Sequence, residues 1–108
     1  MAMTVIYRLI RGAQPNREDF LSDEASGKLP RDETREKLRR HRGFSIWLTE
    51  RNARAIARRF PQLGSHIAEV RLPPGALLEP FVSTPDHNTA YGDPDDFLGQ
   101  VVRVVSVR

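Results

Sequence analysis

The stretch GFSIWLTERNARAIARRF, residues 43–60, predicts a β-strand that leads directly into an α-helix. Its first part, FSIWLT, is rich in the aromatic and β-branched residues that are typical of strands. Thr49 stands where a helix N-cap is expected, and Pro61 ends the helix. From residue 50 onward, apolar residues recur at the spacing of one helical face, which predicts a stripe turned to the core: Ala53, Ile56, Ala57 and Phe60.

The polar residues of this stretch allow more than one interpretation. Arg51, Arg54 and Arg58 fall opposite the apolar stripe, and we interpret them as a solvated face. By strand alternation, Ser45 and Trp47 lie on one side of the strand. A hydroxyl at that position can order a neighbouring backbone or a ligand, whereas a tryptophan is more often a core residue than a binding platform.

The N-terminal segment TVIYRLI, residues 4–10, predicts another strand. Arg8 shares one side of this strand with Ile6 and Ile10, so its charge is flanked by apolar side chains. A buried charge is costly unless it is paired. Arg8 therefore pairs with a structural carboxylate or extends to an edge, or else it holds an anionic ligand, because a guanidinium fork fits phosphate oxygens.

The rest of the chain gives weaker signals. Segment 28–42 is almost entirely charged and is predicted to be a mobile loop or an exposed helix. Segment 84–96 carries turn residues and is predicted to be a long polar loop, while the apolar strand at 99–107 is predicted to be central. The other predicted elements are a short helix at 16–22, a strand at 66–72 and a short strand within 76–83, broken at Pro80.

These elements indicate a fold of the α+β class. Helices cluster early in the chain and strands late, which favours a largely antiparallel or mixed sheet with two or three short helices. A chain of 108 residues is expected to form one domain, residues 1–108, with one hydrophobic core.

Composition excludes several classes of protein. The chain has no cysteine for a disulfide framework, and no apolar run approaches the ~20 residues of a membrane-spanning helix. The N-terminus lacks the pattern of a signal peptide, so we predict cytoplasmic residence and no membrane partner. His41, His66 and His87 lack the spacing of metal ligands, and no metal cofactor is predicted.

The charge is distributed unevenly along the chain. Segments 1–43 and 44–72 each carry a formal charge of +3, and segment 73–108 carries −3. This distribution indicates a basic side and an acidic side rather than a uniformly basic nucleic-acid platform. A protein with a site for an anionic small molecule would show the same imbalance.

Two segments together resemble one known family. VIYRLIRGAQPNREDFLSDEASG, residues 5–27, places a Tyr-Arg pair on a strand, followed by a proline, a short helix with an aromatic residue and a glycine turn. In GFSIWLTERNARA, residues 43–55, the strand serine Ser45 precedes the helical alanine Ala53 by eight residues. These features resemble the ADP-ribosyltransferase toxins of the cholera and pertussis type, which implies an ADP-ribosyltransferase-like fold.

The resemblance also implies roles for individual residues. Arg8 would contact the phosphate side of NAD, and Ser45 would brace the nicotinamide-ribose pocket. Their neighbours Tyr7 and Trp47 would be further cofactor-binding residues. The implied ligand is therefore NAD or a related dinucleotide, and the implied activity is the transfer of ADP-ribose from it.

This chain departs from the family pattern in its Ser-Thr-Ser segment, which is reduced to Ser-Ile-Trp at residues 45–47, and at the catalytic carboxylate. A glutamate is expected near DPDDFLGQVVRVV, residues 93–105, where this chain has Gln100. Glutamine carries no negative charge to stabilise the transition state, which argues against full activity. Asp95 or Asp96 could substitute only if the last strand began earlier than its sequence predicts.

Three functions remain open from the sequence. The leading one is a minimal ADP-ribosyltransferase-like domain that binds NAD or a related dinucleotide. The second is a non-enzymatic module whose segment 28–42 and arginine row meet an acidic protein partner. The third and least favoured is nucleic-acid binding, because the basic face lacks interleaved aromatic residues. Loss of dinucleotide binding on changing Arg8 would separate the first from the others.

Overall fold

A computed structural model of the chain describes residues 3–29 and 34–108. The helices and strands are, in chain order, β1 (Val5–Ile10), α1 (Arg35–Arg40), β2 (Phe44–Trp47), α2 (Glu50–Arg59), β3 (His66–Arg71), β4 (Leu77–Pro80), β5 (His87–Tyr91), α3 (Pro94–Gly99) and β6 (Val101–Ser106). Two short 3₁₀ helices cover Arg17–Phe20 and Pro61–Leu63.

All six strands belong to one antiparallel sheet, in the order β4-β5-β2-β1-β3-β6. The predicted α+β class is confirmed, as are the strands that became β1 to β4 and the helix that became α2, with small differences at their ends. The predicted N-cap of α2 is also confirmed, because the Thr49 hydroxyl accepts a hydrogen bond from the Asn52 backbone. The charged segment 28–42 contains the exposed helix α1, and its residues 30–33 lie outside the described residues.

The prediction of a polar loop at 84–96 is wrong, because this segment contains all of β5 and the start of α3. β5 lies inside the sheet, between β4 and β2, where its polar residues Asn88 and Thr89 are buried. The Asn88 side chain donates to the Pro85 carbonyl over 3.0 Å, and Thr89 accepts from Arg40 over 2.7 Å. Because these bonds offset the cost of burial, a polar sequence forms an interior strand.

The prediction that the last strand is central is also wrong, because β6 is an edge strand that pairs with β3. Val104 packs toward the core on one face of the sheet, and Val105 packs toward the core on the other. The sheet is covered on both faces even at this edge, which gives β6 the apolar pattern of an interior strand.

The core has two layers, one on each face of the sheet. On one face, Phe20 from the first 3₁₀ helix and Phe97 from α3 pack over buried strand residues: Ile6, Ile10, Phe44, Ile46, Ala68, Val70 and Ala90. On the other face, Ala53 and Ala57 of α2 pack on Leu9, Trp47 and Ile67. This second layer confirms the predicted apolar stripe of α2 for Ala53, Ala57 and the half-buried Ile56, but not for Phe60, which is exposed.

The sheet opens in the middle, between β1 and β2. These strands pair at one position, Tyr7 with Trp47, whereas β1 and β3 pair over six residues. At Arg8 the link between the two strands is a side-chain one, because its guanidinium donates to the Ser45 carbonyl. The opening lies beside Arg8 and Ser45, the two residues that the sequence singled out.

Candidate functional site

A cleft of about 530 Å³ occupies the opening between the two strands. Arg8 and Leu9 of β1 line one side, and Ser45 and Trp47 of β2 line the other. Ile56, Phe60 and Leu63, from α2 and the 3₁₀ helix that follows it, form an apolar wall. The segment around the first 3₁₀ helix forms the opposite, charged wall: Arg11, Glu18, Asp19, Asp23 and Lys28.

Arg8 is fixed at the base of this cleft by backbone carbonyls. Its Nε donates to the carbonyl of Asp19 over 2.9 Å, and its Nη1 donates to the carbonyl of Ser45 over 2.8 Å. The guanidinium carbon lies 5.0 Å from the centroid of the Phe44 ring. Arg8 forms no ion pair within residues 3–29 and 34–108, so the predicted pairing with a structural carboxylate is not seen there.

The charge of Arg8 is held in a poorly solvated place. The guanidinium is surrounded by protein, although the cleft leaves part of the side chain accessible. Burial lowers the pKa of Arg8 to about 10, and the nearby carboxylates of Asp23 and Asp19 act in the opposite direction. Arg8 is therefore positive at neutral pH, and a cation that is not directly paired attracts an anion strongly in such a place.

The first 3₁₀ helix positions one of the two carbonyls that hold Arg8. The carboxylate of Asp19 accepts from the backbone N–H of Asn16 over 2.9 Å, which closes the helix start. Asp19 is buried, and its own carbonyl faces Arg8. The sequence analysis missed Asp19, although an Asn followed three residues later by Asp is a capping signal at a helix start.

Ser45 lies at the point where two clefts meet. It pairs with Thr89 of β5, and its hydroxyl has no hydrogen-bond partner in the described part of the chain. Its carbonyl receives Arg8, so the structure does bring Arg8 and Ser45 together. A second, smaller cleft of about 170 Å³ shares Ser45 and is bounded on its far side by α1.

Tyr7 lies outside the lining of the large cleft, whereas Trp47 is part of its wall. The Tyr7 hydroxyl donates to Glu69 over 3.3 Å, and Tyr7 is not among the described residues that line the large cleft. Burial, together with the charge of Glu69, raises the pKa of the Tyr7 hydroxyl. Trp47 lies in the core beneath α2, as its residue type predicted, and contributes to the cleft wall.

His87 is a residue of the cleft that the sequence analysis did not assign. Its ring stacks on Trp47 at 4.8 Å and on Phe81 at 4.2 Å, with Arg40 over the far face of Phe81 at 3.8 Å. Its Nε2 is buried and has no hydrogen-bond partner among the described residues. Burial, together with the charge of Arg40, lowers the pKa of His87, while Asp86 acts to raise it. No local sequence signal marks this histidine, because its partners come from three other parts of the chain.

Gln100 and Asp96 do not line this cleft. Gln100 follows α3 directly, and its carbonyl accepts from the backbone N–H of Arg71 on β3. β6, which begins at the next residue, is two strands away from β1. Neither Gln100 nor Asp96 is among the described residues that line the two clefts, and Asp95 instead pairs with Arg17 over 3.1 Å. The structure does not join the proposed catalytic position to Arg8 and Ser45.

The arginine row of α2 is not a uniform solvated face. Arg51 and Arg58 are exposed, as predicted. Arg54 instead donates to the carbonyls of Ser106 and Val107 over 2.9 and 2.7 Å, and it pairs with Glu50. The interpretation of Arg54 as solvated is therefore wrong, because the end of β6 runs beside this helix and offers free carbonyls.

The described residues contain neither a metal-binding cluster nor a membrane-spanning helix. Across residues 3–29 and 34–108, no group of three or more His, Asp or Glu side chains is arranged to hold a metal ion. No helix in the same residues has the length and apolar character needed to cross a bilayer.

Comparison with known proteins adds no relative to these observations. Neither the family models, nor the curated proteins, nor the solved structures give a match to this chain.

Proposed function

We propose that this chain is a minimal ADP-ribosyltransferase-like domain that binds NAD or a related dinucleotide in the cleft between β1 and β2. The observation that carries the proposal is the guanidinium of Arg8, held beside the cleft without a carboxylate partner among the described residues. Two backbone carbonyls orient it, and its remaining N–H groups are available to an anion.

The size and lining of the cleft support a dinucleotide as the ligand. Its volume of about 530 Å³ lies within the range of roughly 300–1,000 Å³ found for small-molecule sites. Phe60 and Leu63 offer apolar surface for a base, and Arg8 and Arg11 lie on the charged side for phosphates. The Ser45 hydroxyl, close to the carbonyl that holds Arg8, would then meet the ribose.

The test is a calorimetric titration of the purified protein with NAD. We expect saturable binding by the wild type and a loss of at least about tenfold in affinity for Arg8→Ala, because one charge-assisted hydrogen bond contributes about 1.5–3 kcal/mol. Arg58→Ala removes an exposed arginine outside the cleft and should bind like the wild type.

A second variant guards against simple unfolding of Arg8→Ala. Leu63 lines the cleft but is 46% exposed, so Leu63→Glu should leave the fold intact. Its carboxylate would repel the phosphates and weaken NAD binding. The proposal would be overturned if the folded wild type did not bind NAD, or if Arg8→Ala and Leu63→Glu both bound NAD as tightly as the wild type.

Turnover is a separate question from binding. The carboxylates that do lie at the cleft belong to Glu18, Asp19 and Asp23, and Asp19 already closes the first 3₁₀ helix. Glu18 and Asp23 are therefore the residues to change first if the protein releases nicotinamide from NAD. We therefore propose that any catalytic carboxylate belongs to the N-terminal side of the cleft rather than to the position of Gln100.

One observation favours the second candidate function, an interaction module for an acidic protein partner. Arg51 and Arg58 are exposed and make no ion pair within the described part of the chain. They lie seven residues apart, hence on one face of α2. If this function is correct, Arg51→Ala and Arg58→Ala should weaken partner binding while Arg8→Ala leaves it unchanged.

A further inference from the structure

The smaller cleft differs in charge from the larger one that it adjoins. Its α1 side carries Lys37, Arg40 and His41, and its single lining carboxylate among the described residues is Asp23. Asp23 has its own cation, because the Nζ of Lys28 lies 3.6 Å from its Oδ1. The larger cleft, by contrast, balances its cations with a similar number of carboxylates.

Helix α1 presents these three side chains together. Lys37 precedes Arg40 by three residues and His41 by four, so all three lie on one face of the helix. The backbone carbonyl of His41 accepts from the N–H of Glu24 over 2.9 Å, which ties the end of the helix to the preceding segment.

Arg40 fixes this helix to the sheet. Its Nη1 donates to the Thr89 hydroxyl over 2.7 Å, and its Nη2 donates to the Pro80 carbonyl over 3.0 Å. It also pairs with Glu36 and Glu79 and lies on the Phe81 ring. The guanidinium of Arg40 is thus already paired within the protein, and Arg40 holds α1 in place.

Lys37 and His41 are the other two basic side chains on the α1 side of the smaller cleft. Neither side chain has an ion pair or a hydrogen bond with any part of residues 3–29 and 34–108. Both border a cleft of about 170 Å³, which is too small for a nucleotide-sized ligand but larger than the ~30 Å³ that one water occupies in the liquid. Such a place fits one compact anionic group.

We infer that the α1 side of Ser45 is a subsite for a phosphate group, held by Lys37 and His41 on the helix that Arg40 anchors. This inference rests on the proposed function and adds a substrate class to it. The second substrate carries a phosphomonoester, and the subsite directs that substrate toward Ser45, where the two clefts meet. Lys37 supplies a compact cation and His41 supplies an imidazole N–H, and both donate to phosphate oxygens.

The test uses inorganic phosphate alone, without NAD. Amide NMR spectra of the ¹⁵N-labelled protein are recorded against phosphate and against chloride at the same ionic strength. We expect saturable, phosphate-specific shifts in residues of α1, and an affinity lower by at least about tenfold in the Lys37→Gln/His41→Gln double variant. Arg35→Gln removes a charge from an exposed position of the same helix outside the cleft, and it should behave like the wild type.

The outcomes separate this inference from the proposed function. The subsite would be overturned if phosphate caused no shifts in the wild type, or if the double variant bound phosphate as tightly as the wild type. It would also be overturned if Arg35→Gln weakened phosphate binding as much as the double variant does. Phosphate binding that Arg8→Ala abolishes and the double variant retains would overturn it as well. Phosphate binding at α1 by a protein that does not bind NAD would sustain the subsite and remove the dinucleotide function instead.

Discussion

The imidazole of His87 is enclosed by planar groups. Trp47 and Phe81 cover its two faces, and its Nε2 reaches no hydrogen-bond partner among the described residues. Burial between these rings disfavours the charged imidazole, and the rings leave its Nε2 without a partner in the described part of the chain. The positive charge of Arg40 on the far side of Phe81 further opposes protonation. Burial and the charge of Arg40 therefore lower the pKa of His87.

We expect stability to fall in mild acid because of His87. Its pKa is lowered in the folded protein, so below the ordinary value of 6.5 the unfolded chain binds a proton first. The contribution of His87 to the free energy of unfolding is fully present above pH 6.5. It is lost progressively as the pH falls toward the pKa of His87 in the folded protein, with a slope of at most about 1.4 kcal/mol per pH unit. Denaturant unfolding between pH 7.5 and pH 5 measures it.

His87→Phe is the matched variant, because phenylalanine keeps a flat ring in the stack and has no proton to gain. The variant should lose less stability than the wild type over the same pH interval. Identical slopes for the two proteins would show that other groups cause the acid sensitivity.

Gln100 gives a second prediction at this scale. Gln100→Glu introduces a carboxylate at the position where the resemblance to the ADP-ribosyltransferase toxins predicts one, but that position lies between α3 and β6 and does not line the cleft. We expect no increase in nicotinamide release from NAD, because a carboxylate must reach the reacting atoms to assist them. An increase of tenfold or more in this variant would place the reaction near β6.

At the scale of elements, the turn from α1 into β2 is set by close packing at Gly43. An added Cβ at this position would lie 2.5 Å from the Ala90 carbonyl oxygen and 2.5 Å from the Thr89 Cγ2. The chain therefore passes directly against β5 before it reaches Ser45. Because Gly43 also lines the small cleft, the position of that cleft depends on how β2 pairs with β5.

We predict that Gly43→Ala destabilises the protein by about 1–3 kcal/mol, the usual cost of overpacking. Gly12→Ala is the control, since a Cβ there meets nothing within 4 Å. Denaturant midpoints of the two variants against the wild type measure the difference. A Gly43→Ala protein as stable as Gly12→Ala would show that β5 shifts at little cost.

At the scale of the whole molecule, three phenylalanines join distant parts of the chain. The ring of Phe97 lies 4.8 Å from that of Phe44 and 6.2 Å from that of Phe20. These rings connect α3, β2 and the first 3₁₀ helix on one face of the sheet. The same cluster places the charged wall of the cleft, because Phe20 follows directly on Asp19.

Phe97→Ala should cost about 3–5 kcal/mol of unfolding free energy, as the loss of a buried aromatic ring does. Val82→Ala, at a fully exposed side chain, should change stability by less than about 0.5 kcal/mol. Thermal and denaturant unfolding compare the two. A cost for Phe97→Ala below about 1 kcal/mol would show that the cluster does not hold α3, β2 and the first 3₁₀ helix together.

The sequence by itself determined the local elements of this protein. The strand that became β2, the cap at Thr49 and the stripe of α2 follow from propensity and periodicity over a few residues, and so does the placement of Arg8 between two isoleucines. Only the tertiary structure decided which strand lies at an edge, that β5 exists within a polar segment, and that Gln100 lies apart from Arg8. The cleft, too, results from strand pairing, since it lies where β1 and β2 pair at one position. Strand pairing depends on partners that are distant in sequence, so the sequence of either strand does not predict the cleft.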